Sequence, residues 1–209
     1  RETLFTELGV FEGFQPQLPD TYRDSEFVFL ANIHPALQLQ VLGQARAPRF
    51  RAMDTMNFWI ETTPTELGQT LAGVDALVIN DEEARQLTGS YNLVIAAEEI
   101  QRRGPRIVII KRGEHGAILF DEAGIFTAPA FPLREVQDPT GAGDSFAGGF
   151  IGALAREGST DHAALRRALI YGSTMASFCV ERFSLDRFCE LDPGEVEQRF
   201  AEFRALTRF

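Results

Sequence analysis

Hydrophobic residues along the chain fall into short runs separated by segments in which they recur at helical spacing. The short runs predict buried strands at 26–32, 50–55, 75–80 and 106–111. The segments with helical spacing predict helices at 34–45, 63–73, 81–89 and 93–104. Strands that alternate with helices in this way predict a mostly parallel sheet that is covered by helices on both faces.

The pattern changes after Lys111. The segment KRGEHG (111–116) joins the preceding strand to AILF (117–120) over too few residues for a helix, and GIFTAPAF (124–131) follows. This arrangement predicts an antiparallel meander at one edge of the sheet. Three helices are predicted beyond it: one from Asp144 to Arg156, one over 161–180, and a last one capped by Asp192.

The first 24 residues do not follow the alternating pattern. RETLFTEL (1–8) predicts a strand, and GVFEGFQPQLPD after it, with two prolines and two glycines, predicts a long arm. An α/β chain seldom starts this way, so we expect that the sequence lacks the part that should precede it. No internal repeat or linker is present, and a single domain is predicted.

Composition excludes several classes of function. The chain has 209 residues with a net charge of −10 and a pI near 4.8, so a nucleic-acid partner is not expected. No apolar run in the sequence is long enough for a membrane span and the start does not resemble a signal peptide, which predicts a cytoplasmic protein with no membrane partner. Cys179 and Cys189 form no metal-ligand pattern and are expected to be reduced, partly buried thiols.

The segment DPTGAGDSFAGGF (138–150) is the strongest candidate for chemistry. It is neither a Walker A loop, since no Lys follows the glycines, nor a GxGxxG fingerprint, whose last position would be Phe146. Gly141, Ala142 and Gly143 instead predict bare backbone N–H groups ahead of a helix that begins near Asp144. Because the positive end of that helix points to the same place, the segment predicts an anion hole.

Asp144 beside such a hole would repel a phosphate unless it has a separate task. Accepting the proton of an acceptor hydroxyl during phosphoryl transfer is such a task. The alternative is that Asp144 only caps the helix. Gly148, Gly149 and Gly152 are expected to let this helix pack closely on a neighbour, because each costs about 1 kcal/mol relative to Ala.

The same thirteen residues resemble the C-terminal signature of the PfkB carbohydrate kinases, a family of ribokinase-like kinases. The resemblance implies a ribokinase-like three-layer α/β/α sandwich, with a mostly parallel sheet and an antiparallel edge meander. It implies that Asp144 is the catalytic base and that residues 141–143 hold the transferring phosphoryl group. Asp138 lies where potassium-activated members bind the ion, but CVERFSLDRF (179–188) lacks their small glycine-containing loop, which argues against potassium activation.

Two further motifs are similar to those of the family. NDEE (80–83) resembles its NxxE motif, which implies that Glu83 acts on Mg²⁺ through water and that Asn80 supports the phosphate site. A capping box at a helix start would account for the same two residues, and both roles are compatible. KRGEHG resembles the KxGxxG segment that flanks the nucleotide, with Lys111 or Arg112 as a cation and Gly113 and Gly116 allowing close approach. An ordinary hairpin with positive-φ glycines is the alternative.

By this resemblance, residues 1–24 are the remnant of a lid strand with its connecting arm, and residues 25–209 are the nucleotide-binding core. The family's first strands, part of its lid and the loop that grips the sugar are absent. The implied activity is transfer of the ATP γ-phosphoryl group to a primary alcohol of a sugar, with Mg²⁺. A nucleoside kinase or a catalytically incomplete nucleotide-binding fragment remains the alternative, and a homodimer through the lid is compatible with the resemblance.

Two further sets of residues carry no firm function. Asn32, His34, Asp54 and Asn57 stand at strand ends, where ligands of α/β sheets bind, but each fits a cap or turn equally well, and His34 before Pro35 favours a structural role. An interaction module is a third class of function, based on the phenylalanines near the C-terminus. Phe200, Phe203 and Leu206 recur at helical spacing, however, which is more typical of core.

Overall fold

The computed structural model describes residue 7, residues 9–11 and residues 13–207. Six strands form one sheet in the order in which they occur along the chain. The strands are β1 (Phe27–Leu30), β2 (Phe50–Asp54), β3 (Ala76–Asn80), β4 (Ile107–Lys111), β5 (Ala117–Asp121) and β6 (Gly124–Ala128). Strands β1 to β4 are parallel, and β5 and β6 are antiparallel. The predicted parallel sheet and its antiparallel edge meander are confirmed.

Helices cover both faces of this sheet. They are α1 (Asp20–Arg23), α2 (Pro35–Gln44), α3 (Asn57–Thr62), α4 (Pro64–Leu71), α5 (Asp81–Thr88), α6 (Leu93–Gln101), α7 (Ala142–Glu157), α8 (His162–Cys179), α9 (Asp186–Cys189) and α10 (Pro193–Leu206). The short helices α1, α3 and α9 were not predicted. Helix α7 begins at Ala142, two residues before the predicted start.

Alternate residues of β1 to β5 enter two separate cores, which makes the three layers. In β3, Ala76 and Val78 pack in the core that includes residues of α7 and α8. Leu77 and Ile79 pack in the core that includes residues of α4, α5 and α6. Successive side chains of a strand point to opposite faces, so this alternation tells which face any strand residue is on.

Helices α7 and α8 pack closely, but fewer glycines are responsible than expected. A Cβ on Gly149 would lie 2.7 Å from Met175 Cγ and 2.9 Å from the Tyr171 carbonyl oxygen. On α8, a Cβ on Gly172 would lie 2.8 Å from the Phe146 carbonyl oxygen. Gly148 and Gly152 have nothing within 4 Å of such an atom, so the prediction of close packing is wrong for these two.

Only some of the predictions for the two ends of the chain fall on described residues. The predicted strand at 1–8 lies outside the described residues, apart from Glu7, and residues 9–11 form a 3-10 turn. In α10, Phe203 is fully buried and Phe200 is half-buried, as expected of core, whereas Leu206 is 50% exposed. Cys179 is buried and Cys189 exposed, and both are free. In the part of the chain that the structure describes, no helix combines the length and the apolar character that crossing a membrane requires.

Candidate active site

Three neighbouring parallel strands end in polar residues, so these residues lie together at the edge of the sheet that the carboxyl ends of the parallel strands form. Strand β2 ends in Asp54, β3 in Asn80 and β4 in Lys111, and Asn80 pairs in register with Lys111. Each of these residues lies an even number of positions from a strand residue in the α7 and α8 core, such as Ala52, Val78 or Ile109. The alternation of side chains therefore directs Asp54 and Lys111 toward the face that α7 covers, whereas the side chain of Asn80 caps the next helix, α5.

The first turn of α7 presents backbone N–H groups at this edge. Its N-cap, Gly141, has φ +80°, a conformation that side chains rarely adopt. The Ala142 N–H donates to the Pro139 carbonyl oxygen at 3.2 Å, so the prediction that this group is bare is wrong. The N–H groups of Gly141 and Gly143 donate to no described residue. The candidate anion hole therefore offers the N–H groups of Gly141 and Gly143 instead of the three that the sequence indicated, because the Ala142 N–H is already hydrogen-bonded.

Lys111 connects the sheet edge to the helix terminus. A Cβ on Gly143 would lie 3.0 Å from Lys111 Nζ, which places the ammonium directly against the first turn of α7. Lys111 has no ion-pair partner among the described residues. The cation and the amides thus face one point from two elements, an arrangement suited to a phosphate group.

Asp144 is the third residue of α7 and its side chain is exposed. It lies within electrostatic reach of Asp54, because its negative charge contributes to raising the pKa of Asp54. The side chain is therefore neither packed in the core nor distant from the strand ends. Its carboxylate remains accessible to a ligand at the helix terminus.

Asp54 is the most unusual group at this edge. Its residue is 5% exposed, and its Oδ1 atom has no hydrogen-bond partner among the described residues. Burial raises the pKa of Asp54 to about 7; the positive charge of Lys111 opposes this effect, while Asp144 and Glu83 add to it. Asp54, Glu83 and Asp144 thus share one region with the ammonium of Lys111, which leaves an excess of negative charge.

Asn80 and Glu83 form the capping box that the sequence predicted for the start of α5. The Glu83 N–H donates to Asn80 Oδ1 at 2.7 Å, and the Asn80 N–H donates to Glu83 Oε2 at 3.0 Å. Burial raises the pKa of Glu83 above its ordinary value. The other carboxylate oxygen, Oε1, has no hydrogen bond to a described residue. The cap therefore fixes Glu83 and leaves one oxygen for another partner.

The turn at 111–116 contains two glycines with positive φ, as the hairpin alternative predicted. Gly116 has φ +82°, and a Cβ there would lie 2.0 Å from the Ala128 carbonyl oxygen. Packing inside the protein therefore explains Gly116. Gly113, at φ +54°, has nothing within 4 Å of the point that a Cβ would occupy, so its backbone is open to an approaching group.

Asp138 lies in the loop before α7 and is half-buried. Its Oδ1 accepts from the Thr140 N–H at 3.0 Å, and the N–H groups of Gln137 and Asp138 are directed at the Val180 carbonyl oxygen. These bonds tie the loop to the end of α8. Among the described residues, no three His, Cys, Asp or Glu side chains are grouped closely enough to hold a metal ion.

The other strand-end residues have structural partners. Asn32 accepts a hydrogen bond from Trp59 Nε1 at 2.9 Å, and His34 Nδ1 accepts from the Ala36 N–H at 3.1 Å as the cap of α2. Asn57 begins α3. Asp54 is the strand-end residue whose burial and unpartnered Oδ1 atom the sequence did not reveal. The signal was its even spacing from Phe50 and Ala52 on the α7 side of the sheet.

Relatives of known activity match a large part of the chain. The cytidine kinase of Thermococcus kodakarensis is 31% identical over 156 residues, which are 72% of this chain and 55% of that protein. The aminoimidazole riboside kinase of Salmonella typhimurium is 32% identical over 117 residues, covering 56% of this chain and 36% of that protein. The chain thus spans about half or less of the length of these relatives.

Solved structures share the fold. The aminoimidazole riboside kinase of Salmonella enterica, complexed with aminoimidazole riboside and an ATP analog, superposes with a TM-score of 0.70 at 24% identity, covering 86% of this chain and 64% of that one. Arabidopsis thaliana ribokinase, complexed with ribose and ATP, gives a TM-score of 0.72 at 24% identity, covering 89% and 61%. The expected ribokinase-like fold is confirmed.

A family model described as pfkB family carbohydrate kinase matches residues 19–190. These residues include all six strands, the turn at 111–116, the capping box at Asn80 and the first turn of α7. The chain therefore belongs to the pfkB family of carbohydrate kinases.

Proposed function

We propose that this protein transfers the γ-phosphoryl group of ATP to a primary alcohol of a sugar. The observation that carries the proposal is the first turn of α7, where two amides that donate to no described residue and the Lys111 ammonium lie beside the exposed carboxylate of Asp144. Phosphoryl transfer requires an anion held by fixed positive groups and an acceptor hydroxyl next to a base. This turn offers both.

Asp144 is the proposed base. Its exposed side chain can accept a hydrogen bond from the acceptor hydroxyl and take its proton as the new oxygen–phosphorus bond forms. The proton passes to a carboxylate oxygen, and the bond between the γ-phosphorus and the bridging oxygen breaks, releasing ADP. The position of Asp144 on a regular helix keeps the carboxylate in place beside the amides.

Gly141, Gly143 and Lys111 are the proposed groups that stabilise the transferring phosphoryl group. The two N–H groups and the ammonium act on charge that spreads over its oxygens in the transition state. The Ala142 N–H is already bonded to the Pro139 carbonyl oxygen and is therefore not among these groups. Gly113 is the proposed point at which the backbone meets the nucleotide.

Magnesium fits the carboxylates at this edge. Mg²⁺ prefers oxygen ligands and is usually held by one or two carboxylates together with waters and substrate phosphates. Glu83 is fixed by the capping box with Asn80, and its Oε1 atom has no hydrogen bond to a described residue and can accept one from a water of the cation. When bound, Mg²⁺ neutralises charge on the β- and γ-phosphates. Glu83 would hold it through water.

A nucleoside is the second candidate acceptor. It is favoured by the relatives, because both the cytidine kinase and the aminoimidazole riboside kinase are named for a nucleoside-like substrate. The proposed roles of Asp144 and Lys111 are the same for either acceptor, since both carry a hydroxymethyl group. Potassium bound at Asp138 and a homodimer through residues 1–24 are not required for this mechanism.

An acceptor panel on the 209-residue chain tests the proposal. ADP release is measured with MgATP and ribose, fructose, cytidine, adenosine or aminoimidazole riboside, and the product is identified as a phosphomonoester by mass spectrometry. We expect acceptor-dependent ADP release with at least one compound. ATP binding without acceptor-dependent release would favour the nucleotide-binding fragment. Absence of ATP binding would contradict both.

A further inference from the structure

We propose that Cys179 is a positioning residue for the candidate anion hole. Its thiol holds the peptide between Thr140 and Gly141 in the orientation that turns the Gly141 N–H toward the phosphoryl group. The inference rests on the proposed function, because it explains how one amide of that site is directed. It is carried by a turn that can adopt two orientations and by a buried hydrogen bond that distinguishes them.

Residues 139–142 form a turn directly before α7. The Ala142 N–H donates to the Pro139 carbonyl oxygen at 3.2 Å, which is the hydrogen bond of a β-turn. Gly141 has φ +80° and ψ −1°, the values of the third position of a type II turn. In a type I turn that position has negative φ. The two types differ chiefly in the direction of the central peptide, which here joins Thr140 to Gly141.

The hydrogen bond of the turn does not select between these two types, because both types contain it. Glycine adopts positive and negative φ about equally readily, so Gly141 permits either type. In a trans peptide the carbonyl and the N–H point in opposite directions. A flip of the central peptide would therefore replace the Gly141 N–H at the anion hole by the Thr140 carbonyl oxygen, which repels a phosphate.

The thiol of Cys179 makes the contact that distinguishes the two orientations. Its Sγ donates to the Thr140 carbonyl oxygen at 3.5 Å. Cys179 is the last residue of α8 and is 3% exposed, so water competes little for the thiol. Because the carbonyl is held on the α8 side, the Gly141 N–H points away from α8, and it donates to no described residue. In the flipped turn the thiol would face an N–H group and lose its acceptor.

The residue after Cys179 holds the segment before the turn. The Val180 carbonyl oxygen lies 2.8 Å from the Gln137 nitrogen and 3.4 Å from the Asp138 nitrogen. Two consecutive residues at the end of α8 therefore contact residues 137–140 through backbone groups. This end of α8 acts as a template on which the loop before α7 takes its shape.

The end of α8 is itself anchored by α9 and α10. Glu181 Oε2 accepts from Arg187 Nε at 3.0 Å, and Glu181 Oε1 lies 2.7 Å from Arg199 Nη1. The Arg199 guanidinium lies 3.6 Å from the centroid of the Phe178 ring. The thiol of Cys179 is therefore presented from a fixed point, as the positioning of a site group requires.

Three substitutions of Cys179 separate hydrogen bonding from packing. Cys179→Ala and Cys179→Val both remove the donor, although Val fills the space, whereas Cys179→Ser keeps a donor. With MgATP and an acceptor that the wild type phosphorylates, the turnover number of the Ala and Val variants should fall about 3- to 10-fold, the factor by which one hydrogen bond shifts an equilibrium. The KM for ATP should change less, because the Gly141 amide acts on charge in the transition state. Cys179→Ser should lie closer to the wild type than either.

Ile100→Val is the control for a loss of stability without a change at the turn. Ile100 is fully buried on α6, in the core on the other face of the sheet. Loss of one methylene there destabilises the protein, as the smaller side chain of Cys179→Ala does. Ile100→Val should leave turnover unaltered at a temperature at which circular dichroism shows that all variants are folded.

Infrared spectroscopy tests the hydrogen bond without turnover. The chain has two cysteines, so Cys189→Ser leaves the S–H stretching band of Cys179 alone. Cys189 is exposed, and its replacement should not alter turnover. We expect the Cys179 band at a lower frequency than that of a thiol in an apolar solvent, because donation to the Thr140 carbonyl oxygen weakens the S–H bond.

The outcomes separate the two proposals. If Cys179→Ala and Cys179→Val turn over as fast as the wild type, the assignment of Cys179 is wrong and the kinase proposal stands. The assignment is also wrong if Cys179→Ser loses as much turnover as the other two, if Ile100→Val loses as much as Cys179→Ala, or if the S–H band matches that of a thiol in an apolar solvent. If the wild type phosphorylates no acceptor, the proposed function fails, and the assignment fails with it whatever the frequency of the band.

Discussion

Lys111 Nζ lies 3.0 Å from the point that a Cβ on Gly143 would occupy. The side chain of Lys111, the last residue of β4, can therefore lie against Gly143, the second residue of α7, because Gly143 has no side chain. The contact joins two motifs, and the two residues that meet are 32 positions apart in sequence. It explains why a glycine follows Ala142 in the first turn of a helix, where alanine would favour the helix itself.

The first prediction concerns this contact. Gly143→Ala should displace the Lys111 ammonium, which can move because it ends a flexible side chain, so the fold should be retained. We expect the free energy of unfolding to change by less than about 1 kcal/mol, because Ala favours a helix. The turnover number should fall about tenfold or more, since a misplaced stabilising donor costs this much. Steady-state kinetics and urea denaturation measure the two quantities.

Gly152→Ala is the control for this change. It lies on the same helix with nothing within 4 Å of a new Cβ. It should raise stability by about 0.5 to 1 kcal/mol and leave turnover unaltered. Equal turnover of Gly143→Ala and the wild type would mean that the position of Lys111 is unimportant for transfer.

The second prediction concerns Asp144. Asp144→Asn keeps the size of the side chain and removes its capacity to accept a proton. Turnover should fall by about 10² to 10⁴, the usual contribution of a general base, while the dissociation constant of ATP changes little. Rapid-quench measurement of a single turnover separates the transfer step from product release. A single-turnover rate close to that of the wild type would show that Asp144 is a helix residue and not the base.

The third prediction concerns Glu83. Glu83→Gln can still accept the Asn80 N–H bond, so the capping box and the stability should be preserved. The concentration of Mg²⁺ needed for half-maximal activity should rise about 10-fold or more if the carboxylate acts on the metal. The matched control is Glu195→Gln, which alters the equivalent capping box at the start of α10, away from the site. An unchanged Mg²⁺ requirement in Glu83→Gln would leave Glu83 with a capping role alone.

Much of this arrangement could be predicted from the sequence, because it depends on local patterns. The alternation of apolar runs and helical segments predicts the positions of β1 to β4 along the chain, the short segments after Lys111 predict β5 and β6, and the Asn80 and Glu83 spacing predicts the capping box. The sequence pattern was less informative about features that depend on tertiary contacts. The Ala142 N–H is bonded to the Pro139 carbonyl oxygen, which depends on the path of the loop. Gly148 and Gly152 face open space, whereas Gly149 and Gly172 lie where α7 and α8 are in contact.

Asp54 shows the same limit at the site itself. Its place at the end of β2 was evident, but its burial to 5% exposure was not, because burial depends on tertiary packing. The excess of negative charge appears only when Glu83 and Asp144 are brought to the same edge. Strand periodicity can tell which face a residue is on, but it cannot tell which charges share that face.

The fourth prediction concerns helix packing. Gly149→Ala should destabilise the protein by about 1 to 3 kcal/mol, because the new Cβ would lie 2.9 Å from the Tyr171 carbonyl oxygen, a backbone atom that cannot move aside easily. Gly148→Ala, one residue earlier with open space, should be neutral or slightly stabilising. Urea denaturation of both variants measures the difference. Equal stability of the two variants would mean that α7 and α8 can separate at little cost.

The fifth prediction concerns pH and stability. The pKa of Asp54 is raised from its ordinary 3.8 to about 7 in the folded protein, mainly by burial. The folded state therefore retains a proton that the unfolded state has lost, so the free energy of unfolding falls as pH rises from about 4 to about 7. Burial raises the pKa of Glu83 as well, which acts in the same direction.

Asp54→Asn removes the Asp54 part of this dependence and should be more stable than the wild type above about pH 7. The difference between the two proteins should widen by at most about 2 to 3 kcal/mol from about pH 5 to pH 8, since each pKa unit corresponds to about 1.4 kcal/mol. Urea denaturation without nucleotide or Mg²⁺ at several pH values measures it. A constant difference, or a variant that becomes less stable at high pH, would show that the Asp54 carboxylate is compensated in the folded protein and is not held there at a cost to stability.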